Sequence, residues 1–406
     1  MMRHMAEDDL CITNATLVLP ERLVERGDVQ VRGGRITAVT LMAEAPQWDG
    51  PKIDAAGAYL APGFVDVHVH GAAGSDFMDG SIEAFETAVR AHTAHGVTSI
   101  VPTSTVAHHE RTMRFLELCR VAKRAGAQPR RGMGRVVGAH LYGPFFAAEK
   151  IGCHPRQGLR PPWREEYEQY LSFADVLLTA TCAPELEGAC DFYRTAAAAG
   201  VRLNAGHSNA SWTEMQRAFE LGVRHVDHLY CAMSSVPSLR TRLGAPMQAS
   251  MLEFVLANQD MTTELIADGR HLAPDLLRFV LTMKTADRVA LVSDCGRALD
   301  MPPGVYTFGP ADEGEPFYSD GEVGLTLDRA GLAGSVRSLD FMVSHMHRIV
   351  GADLPTAVRM ASLTPARIVG LDNEIGSLAP GKRADLVLLN PRLQVEQVFV
   401  DGMTIS

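Results

Sequence analysis

The sequence predicts an α/β chain: a (β/α)8 TIM-like barrel with a small β-sandwich domain built from both chain ends. Three observations carry that expectation. Apolar runs alternate with helical stretches through the middle of the chain, both ends read as all-β, and imidazoles and a carboxylate recur where the apolar runs stop. In such a barrel chemistry gathers at the C-terminal ends of the strands, so the third observation tests the first.

The ends come first. Residues 11–19, 28–32 and 35–40 are short β-rich runs, the last two joined by Gly33-Gly34, a hairpin signal. Residues 384–389 and 394–400 read as strands bounded by Pro380-Gly381 and Asp401-Gly402. Neither end has enough apolar surface to fold alone, so residues 1–60 and 375–406 are expected to pair into one β-sandwich around a catalytic barrel of residues 61–374.

Within that barrel eight apolar runs occur, at 64–70, 97–103, 136–142, 176–182, 201–207, 225–230, 262–268 and 288–294. Helical patterns at 81–95, 109–125, 212–221 and 273–283 fall between several of them. His68 and His70 end the first run, His207 the fifth and Asp294 the eighth. His228 lies late in the sixth, and His271 follows the seventh by three residues.

The stretch Val-Asp-Val-His-Val-His, residues 65–70, places two imidazoles one residue apart. On a strand alternate side chains share a face, so both rings lean the same way and suit a metal. A second His-x-His, at His345 and His347, falls in a helical pattern at 335–350, where a spacing of two splays the rings about 200° apart; it reads as structural. His68, His70, His207, His228 and Asp294 together form a nitrogen- and oxygen-rich set fit for a divalent first-row metal. The implied chemistry is metal-assisted hydrolysis.

Composition bounds the partners. The chain has 406 residues, 46% hydrophobic and 21% charged, with 36 Gly, which suits one large domain and an appendage. A net charge of −10 argues against nucleic acid. Seven scattered Cys without a Cys-x-x-Cys pair read as reduced thiols in a cytoplasm, and the N-terminal MMRHMAEDDL lacks the apolar core of a signal peptide. No run is long enough to span a bilayer, so no membrane is expected.

PGFVDVHVHG (62–71) with LVSD (291–294) resembles the amidohydrolase superfamily. GAHLYGPF (138–145), NAGHSNAS (204–211), DHLYCAM (227–233), LIADGRHL (265–272), GLAGS (331–335), MASLTPARIVGL (360–371) and IGSLAPGKRADLVLL (375–389) narrow the resemblance to the N-acetylglucosamine-6-phosphate deacetylases. The similarity runs from about residue 10 to 402.

The resemblance implies that His207 and His228 ligate the metal, with His68 and His70 as a second pair. Asp294 would move the proton from the attacking water to the departing amine, and His271 would polarise the acetamido carbonyl. It also implies substrate contacts from Cys153 and His154 in IGCH, from Cys231 and Ala232, from Ala333 in GLAGS, and from a phosphate Arg. Arg240 is preferred over Arg242 for that Arg, and its supply by a partner subunit implies a homodimer. The expected cofactor is one divalent metal per chain, Zn2+ with Fe2+ as the alternative, and the expected substrate a phosphorylated amino sugar.

One position departs from the family pattern. Family members carry Glu where this chain has Tyr142, and a phenol with a pKa near 10 is a poorer ligand than a carboxylate. Cys231 likewise replaces the usual Asn. Three readings stay open here: a deacetylase with an altered metal site in which Tyr142 faces the substrate, a hydrolase of another amide or cyclic amide, and a metal-free non-catalytic barrel. The third is disfavoured because a dead site has no need for five polar groups at one mouth.

Overall fold

The computed structural model describes residues 9–41, 48–127 and 132–405; residues 1–8, most of the N-terminal stretch that lacks a signal peptide's apolar core, lie outside it. All eight apolar runs carry strands. Phe64–Val69, Val97–Pro102 and Arg135–Val136 form one parallel sheet, and Ala139–Tyr142, Leu177–Thr181, Arg202–Ala205, His225–Val226, Thr262–Leu265 and Val289–Leu291 a second, paired in chain order. A parallel bridge from Thr103 to His140 joins the two sheets. On the other flank Asp294 N donates to His68 O at 3.0 Å and His70 N to Cys295 O at 2.8 Å. This is a TIM-like barrel architecture, and its first two strands are buried at every residue, as parallel strands covered on both faces must be.

Helices follow the strands where the 3.6-residue periodicity puts them: Ile82–Ala94, His109–Ala125, Trp212–Glu220 and Pro274–Met283. Ser211 shows why one begins where it does. Its hydroxyl accepts from Glu214 N while the Glu214 carboxylate accepts from Ser211 N, a reciprocal cap that fixes the chain just after His207. Residues 335–350 are strand end, α-helix Leu339–His345 and a π-helical turn Met346–Val350. His347 Nδ1 donates to Ala352 O, the structural role its spacing implied.

The two chain ends meet in one eight-stranded sheet, with Tyr59–Pro62 lying between Leu10–Val18 and Leu386–Leu389. The expected sandwich is therefore one continuous sheet rather than two. Its edge strand Arg35–Thr40 curls back so that Ile36 N donates to Lys382 O and Gly381 N to Ile36 O. Gly33 and Gly34 make the turn before that strand with φ of 55° and 72°, a left-handed pair that glycine tolerates best. This sheet has its own core, including Ile12, Leu17, Val31, Leu60, Leu386 and Phe399.

A buried ion-pair network ties the two bodies together. Arg135 donates to Asp385 at 2.8 Å and to Asp401 at 2.7 Å, joining a barrel strand to the C-terminal sheet. A separate sheet of four antiparallel strands, Gly304–Phe308, Glu315–Ser319, Val323–Thr326 and Leu332–Ser335, was not expected from the sequence. Its strands are short and half-exposed and carry little period-2 signal. Among the described residues no helix is long and apolar enough to cross a membrane.

One contact far from the mouth is pH-sensitive. His95, at the C-terminal cap of Ile82–Ala94, bonds Asp300 through Nε2 at 3.0 Å and Asp340 through Nδ1 at 3.2 Å. Burial opposes its charge, but the two carboxylates win and its pKa is pushed up to about 10. A raised pKa stabilises the fold fully below the unfolded value of about 6.5, and that contribution is lost as pH rises toward 10. His95→Gln is expected to lower Tm at pH 6 and to flatten the fall of Tm between pH 6 and 10. An identical pH slope in both proteins would show that His95 is not the titrating group.

Candidate metal and substrate site

At the strand ends lies a cavity of about 490 Å³. His70, Tyr142, His207, His228 and Asp294 line it, as do Cys153, His154, Cys231, Ala232 and His271. His68 lies just beneath, fully buried. The strand ends thus converge as the barrel expectation requires. Two predicted residues do not join them. Arg240 is exposed on helix Val236–Leu243 and outside the lining. Ala333 is buried in strand Leu332–Ser335 while its neighbours Leu332 and Gly334 face the cavity, because the segment is a strand and alternates its faces.

Hydrogen bonds decide what each imidazole offers. His68 Nδ1 donates to Glu264 Oε2 at 2.8 Å, His70 Nδ1 to Thr103 O at 3.2 Å, and His207 Nδ1 to Lys150 O at 2.6 Å. A carbonyl only accepts, so the Nδ1 of His70 and of His207 carries a proton, and the Glu264 carboxylate asks the same of His68. In the neutral ring each Nε2 is then a bare lone pair. His154 is the reverse: its Nδ1 accepts from Val106 N at 3.2 Å, leaving Nε2–H as a donor.

Two of these lone pairs face a carboxylate. Asp294 Oδ1 lies 3.3 Å from His70 Nε2 and 3.8 Å from His68 Nε2, and neither buried nitrogen has a hydrogen-bond partner among the described residues. Lone pairs opposed to an anion in a buried site repel unless a cation sits among them. The electrostatics agree. Burial pushes the His68 pKa down, but Glu264 and Asp294 overcome it and hold it up at about 9. Burial raises the Asp294 carboxyl, and the facing histidines overcome that and hold it well below the usual range. The field that would keep a proton on His68 is the field that would hold a divalent cation. The ligand atoms of His68, His70 and Asp294 all lie within 4.8 Å of one another, so the donor set fits a metal.

His207 and His228 do not join that group among the described residues. For His228 the nearest polar partner is Tyr142. Its hydroxyl lies 2.5 Å from His228 Nε2, and burial drives the phenol pKa well above 10, so the hydroxyl donates and His228 Nε2 accepts. Burial and the charge on His68 push His228 down to about 4, so it is neutral with its proton on Nδ1. The Tyr142 ring also packs against His68 and His207, with centroids 4.4 and 5.3 Å away.

Backbone strain aims several of these groups. His207, Asp294, Tyr230 and Ala232 have φ of 44°, 48°, 73° and 47°, a region that side chains other than glycine's rarely occupy. The sequence reading missed several partners. Glu264 accepts from His68, His225 and the backbone N–H of His228. A carboxylate inside the apolar run 262–268 was the available signal. Asp268 Oδ2 accepts from His271 Nδ1 at 2.8 Å, a pair its i, i+3 spacing could have suggested.

The comparisons with known proteins follow the same line. The Amidohydrolase family model matches residues 59–405. An N-acetylgalactosamine-6-phosphate deacetylase of Escherichia coli is 34% identical over 349 residues, covering 86% of this chain and 88% of that protein. An N-acetylglucosamine-6-phosphate deacetylase of Vibrio furnissii is 32% identical over 345 residues, 84% and 82%. Among solved structures, the N-acetyl-D-glucosamine-6-phosphate deacetylase of Mycobacterium smegmatis in complex with N-acetyl-D-glucosamine-6-phosphate matches with a TM-score of 0.87 at 28% identity, over 98% of this chain and 99% of that one. The enzyme of Pasteurella multocida matches at 0.88 and 25%, over 98% and 99%. With a family match over most of its length and relatives above 30% identity, this chain belongs to the amidohydrolase family, in the branch of the N-acetylhexosamine-6-phosphate deacetylases.

Proposed function

We propose that the chain hydrolyses the acetamide of an N-acetylhexosamine 6-phosphate, N-acetylglucosamine 6-phosphate first, giving acetate and the amino-sugar phosphate. The observation that carries this reading is the buried pair of unpartnered Nε2 atoms on His68 and His70 facing Asp294. The galactosamine relative, at 34% identity, makes the 4-epimer the second substrate to try.

His68, His70 and Asp294 would hold a divalent cation, Zn2+ first, which would supply Lewis acidity to the acetamide carbonyl and lower the pKa of nearby water. The remaining work falls to the chain. Asp294, held ionised, takes a proton from the water that attacks the carbonyl carbon. As the C–N bond breaks, the same proton passes to the leaving amine. His271, oriented by the bond from its Nδ1 to Asp268, lines the cavity where the carbonyl oxygen would lie. His154 offers Nε2–H to the sugar, with Cys153 beside it.

Tyr142 occupies His228 Nε2, so we assign one cation per chain rather than two, with His207 and His228 turned to substrate. The N–H of Ala232, next to Cys231, donates to no protein acceptor among the described residues and suits a phosphate oxygen. Arg240, exposed and with a guanidinium that has no hydrogen-bond or ion-pair partner among them, would serve the cavity of a second copy in a homodimer. Seven free cysteines support a cytoplasmic setting. For the architecture, we assign a closed (β/α)8 barrel over residues 61–374 and a separate domain from residues 1–60 and 375–406.

Acetate release from N-acetylglucosamine 6-phosphate and its galactose epimer tests the activity directly. Asp294→Asn removes the base while keeping the size, and turnover should fall by roughly 10² or more. Near-normal turnover would remove Asp294 from the chemistry.

Elemental analysis tests the metal count. About one equivalent is expected in wild type, loss in His70→Asn, and a rise toward two in Tyr142→Glu, where a carboxylate could bridge. Two tight equivalents in wild type would show that Tyr142 does not limit the site.

A further inference from the structure

A phosphorylated sugar entering a chain of net charge −10 must meet a local cation, and the cavity wall offers few. We propose that Lys150 is the residue through which this chain's own cavity grips the substrate phosphate, an inference that rests on reading the cavity as a hexosamine 6-phosphate site. Lys150 is the one Lys or Arg among the residues lining the cavity. It ends the short turn Ala148–Lys150, and its ammonium has no hydrogen-bond or ion-pair partner among the described residues.

The charges around it are already engaged. Glu149 accepts from Asn209 Nδ2 at 3.0 Å, and Glu185 accepts from Ser208 Oγ at 2.6 Å and from Asn209 N. Burial lowers the pKa of Lys150, which Glu149 and Glu185 only partly offset. The ammonium is thus partly stripped of water without a fixed anion in exchange. An incoming dianion would supply one.

Position strengthens the case. Lys150 O accepts from His207 Nδ1 at 2.6 Å, so the backbone beneath this side chain is fastened to the catalytic cluster. The next residue, Ser208, donates from its N–H to Ala232 O at 3.1 Å. Residues 207–209 therefore clasp both the segment bearing Lys150 and the segment bearing the free N–H of Ala232. Two anion donors flank one short loop. The alternatives within the chain are worse placed: Arg240 is outside the lining, and Arg242 is paired with Glu214.

The test uses the full-length, zinc-loaded protein and N-acetylglucosamine and N-acetylgalactosamine, each with and without the 6-phosphate. Lys150→Met keeps the apolar stem and removes the charge. It should raise KM for the phosphorylated sugars about 10- to 100-fold while changing that for the unphosphorylated sugars by less than about 3-fold. Lys150→Arg should recover most of the loss. Inorganic phosphate should inhibit wild type competitively and the Met variant more weakly by a similar factor. Metal content measured alongside shows that the site is intact. Equal losses on both kinds of sugar, or an unchanged KM for the phosphorylated ones, would overturn the role of Lys150 alone. A wild-type protein that releases acetate from none of the four sugars would overturn the deacetylase reading and this inference with it.

Discussion

The active end of this protein depends on one buried carboxylate, Glu264. Its two oxygens accept from His68 Nδ1 on the first barrel strand and from His225 Nε2 and the backbone N–H of His228 in the 225–230 run. Because it accepts the Nδ1–H of His68, it turns the Nε2 lone pair of that ring toward Asp294. Such an outer partner sets both tautomer and orientation, and in a water-poor interior it does so with little freedom left to the ring. Asp227, held by Thr181 at 2.7 Å and Asn204 at 2.9 Å, has a carboxylate oxygen within 4.8 Å of donor atoms of the same His68–Glu264 pair. This polar layer under the cavity is where an apolar barrel core would otherwise be expected.

A buried anionic layer of this kind destabilises the fold unless a positive charge balances it. The positive φ values at His207 and Asp294 point to the same tension, since the backbone leaves its preferred regions to bring these side chains to the cavity. Stability must then come from elsewhere. The large apolar cluster of the barrel supplies most of it, and the Arg135 pairs with Asp385 and Asp401 join that cluster to the curled sheet of the chain ends. Scaffold and site are in this sense opposed: one is close-packed and the other is held open and charged.

Tyr142 shows how one side chain can change what a site holds without moving the scaffold. It is fully buried at the end of its strand, as any residue there would be, and its hydroxyl satisfies His228 Nε2. The histidine cluster is thereby divided. The half at His68 and His70 keeps free lone pairs, while His228 is spent on a neutral hydrogen bond and His207 lies outside the group that converges on Asp294. A carboxylate in the same place would have left both halves drawing on a shared anion.

The sequence by itself determined the eight strands, the pairing of the chain ends and the gathering of His68, His70, His207, His228, His271 and Asp294 at one mouth. Period-2 and period-3.6 patterning are local properties, and strand ends follow from them. Tertiary structure alone decided which imidazole nitrogens remain free, since a tautomer is set by partners distant in the chain: Glu264 lies 196 residues from His68 and Lys150 57 residues from His207. It also decided that Arg240 and Ala333 stand outside the cavity while Lys150 stands within it. The four strands between Gly304 and Ser335 were equally illegible, because short half-exposed strands are specified by their neighbours rather than by their own pattern.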